Sequence, residues 1–547
     1  MRSAVGPVSM GMLAGSRQSR KENKKFTFSN ILESHHTKSH PMKSKTLLSA
    51  FLLSLNFLSA QSFARLDINH LNAGFNAAGD QLSLSPSFTN NVITPYNQMQ
   101  FTIANLWIGG YDIGHQLHLA GQTYRQTGTD FWAGPLDTVT ATCSVAENAF
   151  YNKVWKINKT TIDSFRLGQF TVVPNSITSW PGNGNASTNE EHIMAPYIDV
   201  NGDGNYNYLD GDYPKIRGDQ ALWFVYNDNL IGQTHTETNG TPLKVEIKCM
   251  AYAVACDDSA LANTIFMHFD LINRSTNFYD STVVGLWTDL DVGGTPNNNI
   301  GSDSIASDFY YYSNYFAAGS VLLNRQMGTT MTYNNDFTVT GNPVLATDYF
   351  GYMIGKFKDG TPLTYGGTGY GGTNATTFSY TGNPFSGAGW NSSSPVDRRM
   401  LGTTKPFNFL PGMDYPIDMA YVVAYDPTLT TFLCVPTLKQ RMQAIKTFYN
   451  SDQTPCSDNI TVVPQQKENI NDINAFPNPA SSQIILQTTS EKPQAYFIVD
   501  LAGQLLIKGM TSGKETVIDI QHLSAGMYFI RVGTNETQQT LPLIKTQ

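Results

Sequence analysis

The clearest chemical signal in the chain is a run of twelve residues, Asp199-Val200-Asn201-Gly202-Asp203-Gly204-Asn205-Tyr206-Asn207-Tyr208-Leu209-Asp210. Oxygen-bearing side chains fall at its positions 1, 3, 5, 9 and 12, with glycine at position 6. Ca²⁺ is a hard cation that takes about six to eight oxygens, and a glycine at the sixth position permits the sharp turn such a shell needs. Asp199, Asn201 and Asp203 are expected to offer side-chain oxygens and Asn205 its backbone carbonyl. Asn207 would bind directly or through water, and Asp210 would close the shell. Position 12 is Asp rather than a long bidentate Glu, and Gly211-Asp212-Tyr213-Pro214 follows where an EF-hand would begin a helix. The expectation is therefore one structural calcium loop between strands, in the weak extracellular affinity class. The alternative is an Asx-rich turn without metal.

A second acidic group, Asp289, Asp291, Asp303 and Asp308, surrounds a Gly/Asn-rich segment. On a strand, Asp289 and Asp291 point to the same face. They could share a calcium ion or act as a carboxylate pair on a glycosidic bond, but solvated loop residues are the plainer expectation. No nucleophile elbow, zinc-protease helix, phosphate-binding loop or dinucleotide fingerprint occurs. His115 and His118 would face opposite sides of one strand. His192 and His268 are expected to be satisfied structural groups.

These residues need a scaffold, and composition says which kind. The chain has 547 residues, only 14% charged and 12% aromatic, with 45 glycines. Such a chain is not disordered. With 35 Lys+Arg against 43 Asp+Glu it lacks the basic excess of a nucleic-acid binder. The fold class expected is mainly β: an antiparallel β-sandwich cargo of one or two subdomains, plus a small Ig-like C-terminal sandwich. Strand patterns occupy 244–254, 264–272 and 281–287, which suggests a meander. Further strand candidates lie at 100–108, 221–226 and 419–425. Only 438–449 reads as a helix, with Leu438, Met442, Ile445 and Phe448 on one face. Of the five cysteines, Cys434 and Cys456 flank that helix and could pair. Cys249 and Cys256 lie too far apart on one strand to bridge directly, and an odd thiol is left over.

Both ends read as addresses. Met42-Lys43-Ser44-Lys45, an apolar core from Thr46 to Leu58 and small residues up to Ala64 have the layout of a secretory signal peptide at 42–64. Residues 1–41 then read as an extension from a misassigned start. Residues 1–64 hold nine of the Lys/Arg and two of the Asp/Glu, so the chain beyond them carries a net charge of −15 rather than −8. The cargo spans 65–465, with a Pro/Gln/Lys/Glu/Asn linker at 466–474.

At the other end, Phe476-Pro477-Asn478-Pro479 is followed by the turn Asp500-Leu501-Ala502-Gly503 and the strand Leu523-Ser524-Ala525-Gly526-Met527-Tyr528-Phe529. In order and spacing these resemble the type A C-terminal sorting domain of cargo exported by the type IX secretion system of the Bacteroidetes, here at 475–547. The resemblance implies passage through the periplasm and recognition by the secretion translocon and sorting machinery. Release, or attachment to surface lipopolysaccharide, would follow. Motifs such as Asn105-Leu106-Trp107-Ile108-Gly109-Gly110 and Asp219-Gln220-Ala221-Leu222-Trp223 resemble uncharacterised secreted proteins of the same group, which bring no activity with them. The function expected is a secreted or surface protein with a calcium-stabilised, non-catalytic cargo that binds glycans or proteins. The alternative is a secreted polysaccharide-degrading hydrolase.

Overall fold

The computed structural model describes residues 62–82, 99–126, 128–293, 297–426, 428, 434–451, 456, 473–488, 493–500, 505–532 and 539–546. The signal segment through residue 61, the linker through residue 472 and the 501–504 turn lie outside them.

Period-two patterning builds the cargo. Along Gln220–Asn227, Leu222, Phe224 and Tyr226 enter one core, while Ala221, Trp223 and Val225 enter a second on the opposite face. Successive side chains of a strand point to opposite faces, so a strand buried on both sides reads as a continuous apolar run. The same alternation puts Ile265, Met267, Phe269 and Leu271 of Thr264–Asn273 into the first core and leaves Phe266, His268 and Asp270 on the other face.

Most cargo strands form one antiparallel sheet folded over on itself as a β-sandwich, with Phe63–Leu66/Ala73–Asn76 and Tyr197–Ile198/Tyr213–Pro214 as separate two-stranded pairs. One half runs Leu117–Gly121, Met99–Tyr111, Tyr279–Val292, Val396–Thr404, Met327–Asn334. The other runs Asn297–Asp303, Asp308–Tyr312, Phe316–Leu322, Asp414–Tyr425, Thr264–Asn273, Val245–Ala253, Gln220–Asn227. A two-residue ladder, Asn297↔Asp397 and Asn298↔Val396, joins the halves. Between them Trp107 and Trp287 stack at 6.1 Å. Their indole N–H groups donate to the Gln122 carbonyl at 2.9 Å and the Tyr333 hydroxyl at 2.7 Å, as buried indoles require.

The expected strands and the helix form, and the helix extends over Cys434–Ser451 with Leu438, Met442 and Ile445 buried. The meander does not close. Thr264–Asn273 pairs with Val245–Ala253 and Asp414–Tyr425, while Tyr279–Val292 crosses to the other half and pairs with Met99–Tyr111. Further helices occur at Val145–Tyr151, Lys159–Arg166, Asn175–Thr178 and Ala346–Met353, too short to show a periodic stripe.

The cysteine expectation is also corrected. Cys256 pairs with Cys456 at a Cα separation of 5.8 Å, and Cys143, Cys249 and Cys434 are buried thiols. Cys434 opens an 18-residue helix, about 27 Å long at 1.5 Å per residue, so Cys456 beyond its far end cannot reach back. It meets the loop that follows Val245–Ala253 instead.

The C-terminal segment packs a three-stranded sheet (Asn474–Phe476, Gln483–Gln487, Glu515–Asp519) with a four-stranded one (Leu505–Met510, Ala495–Val499, Gly526–Val532, Gln539–Lys545). Their core is Ile484, Leu486, Ile498, Ile518, Ile530 and Leu543. This is the small sandwich expected from the sequence. Among the described residues no helix is long and apolar enough to cross a membrane.

Candidate functional site

The calcium-spaced segment is a loop closed by a short ladder, Tyr197↔Pro214 and Ile198↔Tyr213. Its first turn winds around Asp199, whose two carboxylate oxygens accept from Gly202 N and Gly204 N, each at 2.7 Å. Both glycines have positive φ, +78° and +81°, a conformation that a Cβ disfavours. Asn201 donates to Asp203 Oδ2 at 3.0 Å, and Asn205 N donates to Asp203 Oδ1 at 2.7 Å. The latter bond is the main cause holding the Asp203 carboxyl below its usual range. In the second turn Asn207 caps Leu209 N at 3.1 Å and donates to Asp210 Oδ2 at 2.6 Å.

Asp212 is the residue the spacing did not single out. It is fully buried and accepts from Val200 N at 2.8 Å and Asn207 N at 2.9 Å. One carboxylate therefore straps the two turns together. The only sequence signal was an acidic residue two places past the loop, before Tyr213-Pro214. His192 Nε2 lies 2.7 Å from the Gly204 carbonyl, which also accepts from Tyr197 OH at 2.7 Å. The Tyr197 phenol is raised by burial and then by Asp199, Asp212 and Asp203, so these carboxylates share one region.

Ligand capacity remains in this loop. Each bonded carboxylate oxygen of Asp199 takes one N–H and keeps a free lone-pair direction. Among the described residues no Lys or Arg pairs with Asp199, Asp203, Asp210 or Asp212. No three His, Cys, Asp or Glu side chains there converge closely enough to hold a metal by themselves. A calcium shell would need the oxygens of Asn201 and Asn207 and a backbone carbonyl as well.

Asp289 is buried against Arg399, with Nη2–Oδ2 at 3.1 Å, and accepts from Tyr124 OH. Burial outweighs Arg399 and pushes the Asp289 carboxyl up to about 6. Arg399 also holds Asp397 at 2.8 Å. Asp291 lies two residues on along the same strand. Asp303 and Asp308 instead meet Lys439 of the helix at 2.9 and 2.8 Å. Asp289 thus meets Arg399 while Asp303 and Asp308 meet Lys439, so these three carboxylates face two different cations rather than one common centre.

Among the described residues a further polar constellation is one that no local sequence pattern marks. On the outer face of the second half-sheet, register sets His268 opposite Asp418, Asp270 opposite both Lys248 and Pro416, and Ile272 opposite Asp414. Fully buried Asp418 accepts from Arg217 at 2.9 Å, Tyr449 OH at 2.9 Å and Asn324 at 3.2 Å, with His268 Nδ1 at 2.8 Å. His268 Nε2 lies 3.0 Å from Asp270. Burial alone would lower the imidazole, but Asp270 and Asp418 outweigh it and raise it to about 9. Asp418 and Asp270 are held low: burial opposes this, and His268 with Arg217 overcomes it. Lys248 and Arg274 bind Glu191, and Arg274 also binds Glu246 at 2.8 Å. Asp414 is exposed, yet its carboxyl is raised by the surrounding protein and by Asp270. Asp270 and Asp414 thus share one face of adjacent strands, with their carboxyls shifted in opposite directions.

Residues 474–546 match the family model of the secretion system C-terminal sorting domain. The tail is that of type IX secretion cargo, as its motifs implied. The match covers the tail alone and does not confirm the resemblance of the cargo motifs to uncharacterised secreted proteins. No curated protein matches. A solved polysaccharide lyase is similar at 6% identity and a TM-score of 0.17, over 55% of this chain and 34% of that one. The chain thus spans about a third of that structure's length, and a likeness this slight carries nothing about activity.

Proposed function

We propose that this is an exported surface or matrix protein whose cargo binds glycans or neighbouring proteins without turning them over, braced by calcium in the 199–210 loop. The sorting tail matched at 474–546 carries the reading, because it brings a translocon as partner and the cell exterior as destination. Attachment to surface lipopolysaccharide belongs to the same proposal. Calcium is favoured by the uncompensated charge of Asp199, Asp203 and Asp210 and by the buried Asp212 strap. There the protein positions oxygens and the cation would tie the two turns together. The test is deletion of 474–547 in a host that has the secretion system, followed by fractionation. Retention in the periplasm is expected, and unchanged surface delivery of the truncated chain refutes the routing. Asp289, met by Arg399, and Asp291 two residues on form the second calcium position of the same proposal.

One observation favours a second reading, a polysaccharide hydrolase. Asp270 and Asp414 share the outer face on adjacent strands with their carboxyls shifted in opposite directions. That suits a general acid beside a base or nucleophile. Release of reducing sugar from polysaccharides, lost in both Asp270→Asn and Asp414→Asn, would support it; no release by the native chain removes it.

A further inference from the structure

From Gly360 to Val396 the chain contains no Asp, Glu, Lys, Arg or His, although 14% of the whole sequence is charged. The segment is a folded surface rather than a slack loop. Tyr365 N donates to Asn374 O at 2.8 Å, Thr376 N to Leu363 O at 2.9 Å and Gly382 N to Trp390 O at 2.8 Å. It is anchored to the sandwich by Thr330 N to Thr377 O at 2.9 Å and Ser302 N to Tyr380 O at 3.1 Å.

Within it an aromatic stack runs outward. Arg398 sits 5.1 Å from the Tyr380 ring, Tyr380 lies 4.7 Å from Trp390, and Trp390 lies 5.4 Å from Tyr365. Trp390 and Tyr380 are buried, while Tyr365 is 48% exposed. Trp390 Nε1 donates to Gly367 O at 3.1 Å, which fixes the ring that backs Tyr365. Gly369, at φ +85°, approaches the same indole so closely that a Cβ would lie 3.3 Å from it. The Tyr365 hydroxyl reaches the base of the 382–390 hairpin, whose tip carries Phe385, 54% exposed.

We propose that the 360–396 segment, built of uncharged residues and exposing Tyr365 and Phe385 as stacking residues, binds a neutral polysaccharide. A sugar ring offers an apolar C–H face and a rim of hydroxyls. The first is matched by a rigid aromatic ring and the second by the Asn, Ser, Thr and backbone groups around it. A polyanionic glycan would need Lys or Arg on this face, and the acidic chain as a whole repels it. This inference rests on the proposed reading of the cargo as a binding protein and names the site and ligand class.

The experiment uses the full chain with a soluble β-glucan, a mannan and a xylan, against alginate and polygalacturonate as acidic controls. Affinity is read by calorimetry at low and at high salt. Binding to at least one neutral polysaccharide is expected, insensitive to salt and weakened at least tenfold in Tyr365→Ala/Phe385→Ala, with the melting temperature unchanged. Neutral binding that survives both substitutions overturns this face while leaving the glycan-binding reading intact. Binding of only the acidic polymers overturns the ligand class. No polysaccharide binding at all overturns both this face and the glycan part of the proposed function.

Discussion

His268 Nδ1 lies 2.8 Å from Asp418 Oδ1 across the ladder between Thr264–Asn273 and Asp414–Tyr425, and its Nε2 faces Asp270 at 3.0 Å. With a carboxylate at each nitrogen, both ring nitrogens donate and the imidazolium is the favoured form.

Stability is expected to fall on the alkaline side through this residue. The folded imidazole titrates at about 9 against 6.5 for the free group. Its contribution is therefore fully present below about pH 6.5 and lost as pH rises through about 9, on the order of 3 kcal/mol in all. The groups facing it are Asp418, Asp270, Arg217 and, farther along, Lys248 and Asp414. Thermal melts across this window check it. His268→Gln should start less stable and flatten the slope; an unchanged slope refutes the assignment.

Chelator should lower the melting temperature of the native chain, and Asp203→Ala should abolish that response. Identical melts with and without calcium sink the metal. Asp212→Ala is expected to cost about 1–3 kcal/mol even without metal, since it leaves Val200 N and Asn207 N without their acceptor. Denaturant titration in chelator measures that part alone.

The Cys256–Cys456 bond closes a separation of 200 residues. Cys456→Ser should destabilise the chain by about 2–4 kcal/mol under oxidising conditions. In the native protein an alkylating reagent should find Cys143, Cys249 and Cys434 unreactive, and all three should label after unfolding. Mass spectrometry of the alkylated chain decides both points, and a native Cys434–Cys456 peptide would overturn the pairing.

Removal of Arg399 strands a buried carboxylate. Arg399→Ala should cost about 3–5 kcal/mol, while changing Asp289 and Arg399 together to Leu and Met should cost markedly less. Chemical denaturation of the two variants separates the outcomes. Equal losses would show that packing, not charge, dominates there.

What the sequence by itself determined was local. Alternation marked 264–272 as a strand and it spans Thr264–Asn273; the Leu438, Met442, Ile445 stripe marked the helix. The tail motifs fixed the export route because they lie within one short segment. Asp199 and Asp203 likewise hydrogen-bond to backbone within a few residues, so their spacing foretold their turn.

Tertiary structure decided everything that joins distant segments. Period-two patterning says which face a side chain takes but not which strand will lie beside it, so the expected meander misplaces Tyr279–Val292, which pairs with Met99–Tyr111. The partners of His268 and Cys256 stand 150 and 200 residues away, and no local pattern encodes such a register. Asp212 shows the same limit over a shorter span. Its role depends on Val200 and Asn207 presenting their N–H groups to one buried point, and only the folded loop creates that point.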